Sequence, residues 1–190
     1  ITYCLEHAAN PEPLVAAIEA GDVCWHGLAF STHSELMDET LLAYNLDIAA
    51  RLDARFGKKT IAAKMSDVPC HTHALVPQLA GRGIRYLHIG VNRSSRVMDV
   101  PALTRLRFGD DEILLHYAKA YGEADVFGPY ALEFAHTADN MGPPTQARVL
   151  AEMARLEKKY PGAQIVSSTL DAFAQAVLPY AHTLPVLTQE

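Results

Sequence analysis

The sequence predicts an α/β fold with a mainly parallel sheet and flanking helices, and three observations carry that prediction. The stretch Thr60–Gly90, TIAAKMSDVPCHTHALVPQLAGRGIRYLHIG, reads strand, loop, helix, strand, and a crossover of that length joins parallel strands. Apolar runs of strand length alternate with runs of helical period along the rest of the chain. Asp22–Phe30 is continuously rather than alternately apolar, as suits a parallel strand covered on both faces. Such a sheet is either open or part of a barrel. The 190 residues are read as a single domain, with 49% hydrophobic and 20% charged residues, enough for a sizeable core.

Asn10 and Pro11 start the first helix as N-cap and first-turn residue, Leu14, Val15 and Ile18 form its apolar stripe, and Gly21 ends it. After the strand at 22–30, Thr32-His33-Ser34-Glu35 matches a capping box. The helix it opens carries Met37, Leu41, Tyr44, Ile48 and Leu52 at helical spacing and stops at Gly57. Within the central unit, Leu75, Val76 and Leu79 share one helix side, Gly81 and Gly83 close the helix, and Tyr86–Ile89 is the next strand. Leu103–Phe108 and Glu112–Tyr117 form a strand pair around Gly109-Asp110-Asp111, and Ala118–Pro129 is loop. Tyr130–His136 is a strand, Val149–Tyr160 a helix, Gln164–Ser168 a strand, and Leu170–Val177 a helix.

A net charge of −6 without a basic run excludes a nucleic-acid surface. No segment is long and apolar enough to span a membrane. Cys4, Cys24 and Cys70 lack zinc spacing and are too few for a disulfide scaffold, so they read as thiols of a reducing compartment, the cytoplasm. The opening ITYCLEHAANPEP reads as the continuation of a longer polypeptide.

Three strand ends carry clustered polar groups: Trp25-His26 through Ser31-Thr32-His33, Asp67 with His71 and His73, and His136 with Thr137, Asp139 and Asn140. Each has a bland reading. Asp67 can cap a helix, His33 can belong to a cap, His26 can be a satisfied core histidine, and His136 can be a strand-end hydrogen bonder. Together, Asp and His on the C-terminal edge of one sheet can converge on a divalent cation such as zinc.

The segments AIEAGDVCWHGLAFSTHSELMDETL, SDVPCHTHALVPQLAGRGIRYLHIG and EFAHTADNMGPPTQ, in that order, give the chain a resemblance to the catalytic domain of glycoside hydrolase family 38, the retaining α-mannosidases. The likeness is greatest to a bacterial branch known as a domain of unknown function, DUF5054. The second segment is similar to the family's "DPFGHS" stretch and the third, in place, to its "HHD" loop. The resemblance implies part of a (β/α)7-type barrel, a carbohydrate substrate and a zinc cofactor. It assigns Asp67 as covalent nucleophile and zinc ligand, and His136 as a second zinc ligand. Trp25, Asn92 and Arg93 would contact the sugar, while His71 and Asp139 would support the ligands from behind. Cys70 stands where the family has Gly, Ala135 where it has the first His, and the family's N-terminal His-x-Asp strand is not in this chain. Asp110, Asp111, Glu133 and Asp139 remain alternatives for the acid/base carboxylate.

Three functions follow as expectations: a zinc-dependent retaining glycosidase, a metal-dependent carbohydrate deacetylase, or a sugar-binding or structural module of the same fold. The metal readings require Asp67 and His136 to share one cleft, within roughly 8 Å of each other.

Overall fold

The computed structural model describes residues 1–69, 71–122, 124–134, 137 and 141–188. In chain order they form α1 (Thr2–His7), α2 (Glu12–Ala20), α3 (Glu39–Phe56), β1 (Ala62–Asp67), α4 (Leu75–Ala80), β2 (Tyr86–Val91), β3 (Leu103–Phe108), β4 (Asp111–Ala118), β5 (Asp125–Phe127), β6 (Tyr130–Leu132), α5 (Gln146–Lys159), α6 (Leu170–Val177) and β7 (Val186–Leu187). Short 3-10 turns lie at Ser34–Leu36 and Leu178–Thr183.

The predicted crossover is present. β1 and β2 pair in parallel, and α4 between them buries Leu75, Val76 and Leu79, the side its spacing predicts. β2 also pairs in parallel with β4, so β1, β2 and β4 point the same way. β3 and β4 make the expected antiparallel hairpin, turning at Gly109, whose φ of 60° favours glycine. β7 adds in parallel beside β3, giving the order β1-β2-β4-β3-β7. The molecule is therefore α/β, with a mixed, mostly parallel sheet and flanking helices.

Alternation along each strand separates two faces. Ala63, Met65, Leu87 and Ile89 pack against Leu42 and Leu46 of α3 and the apolar side of α4. Ala62, Tyr86 and Leu114 face Phe173, Ala174 and Val177 of α6.

Several expectations need correction. Residues 22–30 are not a strand, because their polar backbone groups find other partners. Gly27 donates to the Ala62 carbonyl at 2.8 Å, but Ala29 and Phe30 donate to the Asn45 side-chain oxygen at 2.7 and 3.4 Å, and Asn45 Nδ2 returns a bond to the Phe30 carbonyl at 3.1 Å. Asn45 is fully buried. Replacing it with alanine should cost about 2 kcal/mol, since three backbone groups lose their partner. A urea unfolding midpoint that did not move would show that the segment is held by other contacts.

The capping box at Thr32–Glu35 yields only the turn Ser34–Leu36, because the buried Ser34 hydroxyl is engaged with His71 Nδ1 at 3.1 Å and with the Thr72 N–H at 3.0 Å. The true cap of α3 is Asp38, whose carboxylate accepts the Leu41 N–H at 2.8 Å. The buried side of α3 is Leu42, Asn45, Leu46, Ala49 and Leu52, one residue round from the expected stripe, and Leu41 and Tyr44 are exposed. Tyr130–Leu132 does form a strand, but it pairs with β5 in a separate two-stranded sheet rather than joining the main one. The predicted loop 118–129 thus contains β5, and Gln164–Ser168 forms no strand.

Candidate functional site

Three neighbouring parallel strands deliver one polar side chain each to the same sheet edge. In the register, Asp67 pairs with Val91 and Gly90 with Ala118, so β1, β2 and β4 end nearly level. Asp67 is the last residue of β1, Asn92 follows β2, and Tyr121 lies three residues beyond β4. The Asn92 amide donates to Asp67 Oδ1 at 2.9 Å and the Tyr121 hydroxyl donates to the same oxygen at 2.6 Å. The Asn92 amide is itself oriented, because its oxygen accepts the Ser94 N–H at 2.9 Å.

Asp67 is exposed and has a φ of 78°, the only positive φ at a non-glycine residue among those described. Aspartate is one of the few side chains that tolerates this left-handed geometry, and such positions cluster at functional sites. The Tyr121 hydrogen bond, then the Asn92 bond and the nearby His33 charge, hold the Asp67 carboxyl below the usual range. It is therefore ionised at neutral pH.

Beneath this edge runs a polar row on the α6 side of the sheet. Lys64, His88 and His116 are adjacent in the register across β1, β2 and β4. Lys64 Nζ lies 2.7 Å from Ser66 Oγ, 3.1 Å from the Tyr121 carbonyl and 3.4 Å from His88 Nδ1, and 4.9 Å above the Phe134 ring. Burial pulls the Lys64 amine down to about 8, which still leaves it charged at neutral pH. An ammonium only donates. His88 Nδ1 must then accept, which puts the His88 proton on Nε2, a buried atom with no partner among the described residues. Burial first, then the neighbouring His116 and the Lys64 charge, push the His88 imidazole down to about 2. His26, half-buried and near Lys64, is pushed down to about 4, by burial first and then by the Lys64 charge.

His116 completes a second, fully paired set. Its Nε2 lies 2.6 Å from an Asp125 oxygen and its Nδ1 2.6 Å from the Tyr86 hydroxyl. With Asp125 as carboxylate, Nε2 donates and Nδ1 accepts the tyrosine proton. Burial, then the Asp125 charge, raise the Tyr86 phenol well above its ordinary value, so it stays a donor.

The structure brings Asp67 and Asn92 together, with the exposed Arg93 on the next residue. It does not bring Trp25. The Trp25 indole donates to Asp53 at 2.8 Å, and Asp53 also accepts the Thr60 N–H and hydroxyl. Thr60 precedes the start of β1, roughly 20 Å of strand from Asp67, so Trp25 anchors the far end of that strand and does not reach a sugar at Asp67. His71 does not touch Asp67 either. It bonds Ser34 and lines a small, mainly apolar cavity with Leu75 and Leu115 on the opposite sheet face. Asp110 and Asp111 lie at the β3–β4 turn, the opposite edge of the sheet, so neither is an acid/base partner of Asp67. Glu133 is engaged with Lys159, Arg155 and the Tyr160 hydroxyl. His136 and Asp139 lie outside the described residues.

Sequence reasoning missed Tyr121 and Lys64. Tyr121 falls in a stretch without periodicity, although its position just after a parallel strand was a signal. The lone lysine in the apolar run AAKM was the other.

No group of three or more His, Cys, Asp or Glu side chains that could hold a metal occurs among the described residues. Of the two expected zinc ligands only Asp67 is described, with Oδ1 hydrogen-bonded and Oδ2 taking no such bond among the described residues. These donors do not make a zinc site by themselves.

Fold and site together define an α/β protein with an ionised carboxylate at the C-terminal edge of parallel strands. No family model, no curated protein and no solved structure matches the chain. Among the described residues no helix is long and apolar enough to cross a membrane.

Proposed function

We propose that the protein is a retaining glycoside hydrolase of the family 38, α-mannosidase-like type, acting on carbohydrate with Asp67 as nucleophile. The observation that carries this reading is the Asp67 carboxylate itself, held at a strand end in left-handed backbone with both hydrogen bonds on Oδ1. Oδ2 is then the oxygen that attacks the anomeric carbon, while the leaving-group oxygen departs with a proton from a second carboxyl group. Tyr121 and Asn92 keep the nucleophile ionised and fix its plane. Arg93, beside Asn92, is the candidate for sugar hydroxyl contacts. A zinc ion shared by Asp67 and His136 would supply a Lewis acid that holds those hydroxyls. The sheet would belong to a (β/α)7-type barrel, in a cytoplasmic protein.

The test is hydrolysis of an aryl α-mannoside, with and without added zinc, followed by trapping with a fluorinated glycosyl fluoride. Mass spectrometry should find the sugar esterified to the peptide that contains Asp67. Absence of both turnover and label would overturn the reading. Acetate release from acetylated sugars without glycoside cleavage would move the site to the deacetylase class.

A further inference from the structure

The Tyr121 hydroxyl can meet Asp67 only if its backbone is held in one place, because the residue lies in a loop beyond β4. Two features hold it. The first is Lys64, whose ammonium lies 3.1 Å from the Tyr121 carbonyl oxygen. The same ammonium lies 2.7 Å from Ser66 Oγ, one residue before Asp67, and 3.4 Å from His88 Nδ1, so it ties the loop to the strand that bears the carboxylate. The second is Gly90 on β2. A Cβ there would lie 2.7 Å from the Tyr121 carbonyl oxygen, 2.9 Å from the Ala120 oxygen and 2.9 Å from the Tyr121 carbonyl carbon. All three are backbone atoms, so only glycine lets the loop sit this close to the sheet.

We propose that Lys64 and Gly90 are positioning residues that set the Tyr121 hydroxyl against Asp67, Lys64 by fixing the Tyr121 carbonyl and Gly90 by admitting it. Neither bonds the Asp67 carboxylate, whose donors are Asn92 and Tyr121. Their influence runs through Tyr121, and His88 orients Lys64 by accepting its third hydrogen bond. This goes beyond the nucleophile assignment, and only the activity arm of the test rests on that assignment.

Lys64→Met keeps the length of the side chain and removes the donor, while Gly90→Ala keeps the donor and closes the space. In crystal structures of both variants the Tyr121 Oη to Asp67 Oδ1 distance should open from 2.6 Å to beyond about 3.5 Å, the limit of a hydrogen bond. Retention of the contact in both variants overturns the proposal, and if one fails to fold, the other decides. On an aryl α-mannoside, each variant should lower kcat about tenfold to a hundredfold with KM within about twofold, since a misplaced group affects the transition state. Lys64→Met should add nothing further in a Tyr121→Phe background, because the two act in series. Full additivity in that double-mutant cycle would mean that Lys64 acts independently of Tyr121 and would also overturn the proposal. An inactive wild type would sink the glycosidase reading, yet the crystallographic distances would still decide the positioning.

Discussion

Asp67→Asn should reduce hydrolytic turnover about a thousandfold or more, as removal of a covalent nucleophile does elsewhere, and leave the fold intact. Asparagine keeps the shape of the side chain and also tolerates left-handed backbone. Its amide oxygen can still accept from Tyr121 and Asn92, which now converge on one carboxylate oxygen. What the substitution removes is the negative charge and the nucleophile. Asp67→Ala is a poorer probe, since alanine at φ 78° costs about 1–2 kcal/mol in strain and mixes stability with chemistry. Asp67→Gly relieves the strain and opens space. In that variant azide should restore turnover of an activated α-mannoside, giving the glycosyl azide of inverted configuration as the azide nitrogen replaces the carboxylate oxygen. Wild-type turnover in Asp67→Asn would exclude the residue as nucleophile.

Acid should unfold this protein early. His26 and His88 are held neutral in the folded state, near 4 and 2, by burial and by the Lys64 charge, whereas in the unfolded chain each titrates near 6.5. Both folded values are lowered. Below 6.5 the unfolded chain therefore binds protons that the native state does not, and stability is lost as pH falls. The loss continues to about 4 for His26 and further for His88. At 1.36 kcal/mol per unit for each group, the two remove about 4 kcal/mol between pH 6.5 and 5, a large share of an ordinary domain stability. His71 is lowered by burial too and acts in the same direction. Urea midpoints between pH 7.5 and 4.5 test this. The steep fall should be shallower in His88→Phe, which fits an aromatic neighbourhood of His116 and Phe134 and removes one titrating group. A midpoint flat from pH 7 to 5, or an identical slope in the variant, would show that these imidazoles already carry protons in the native state.

The sequence by itself determined the central crossover. A strand ending in Ser66-Asp67, a helix with Leu75, Val76 and Leu79 on one side, and the strand beginning at Tyr86 are local patterns that tertiary contacts do not override. The hairpin around Gly109 and the helix at Leu170–Val177 were equally legible, each from a period and its punctuation. With parallel strands read correctly, the strand end at Asp67 was the place to look. Tertiary structure alone decided the rest, because it depends on partners distant in sequence. Residues 22–30 have strand composition, yet their amides are taken by Asn45, so no ladder forms. Two apolar stripes compete along α3, and packing on β1 and β2 selected the one with Leu42 and Leu46. The family resemblance implies a sugar contact for Trp25, but in the fold Asp53 takes its indole N–H. Tyr121 lies in a stretch without periodicity, and only the register that levels the ends of β1, β2 and β4 brings its hydroxyl 54 residues back along the chain to Asp67.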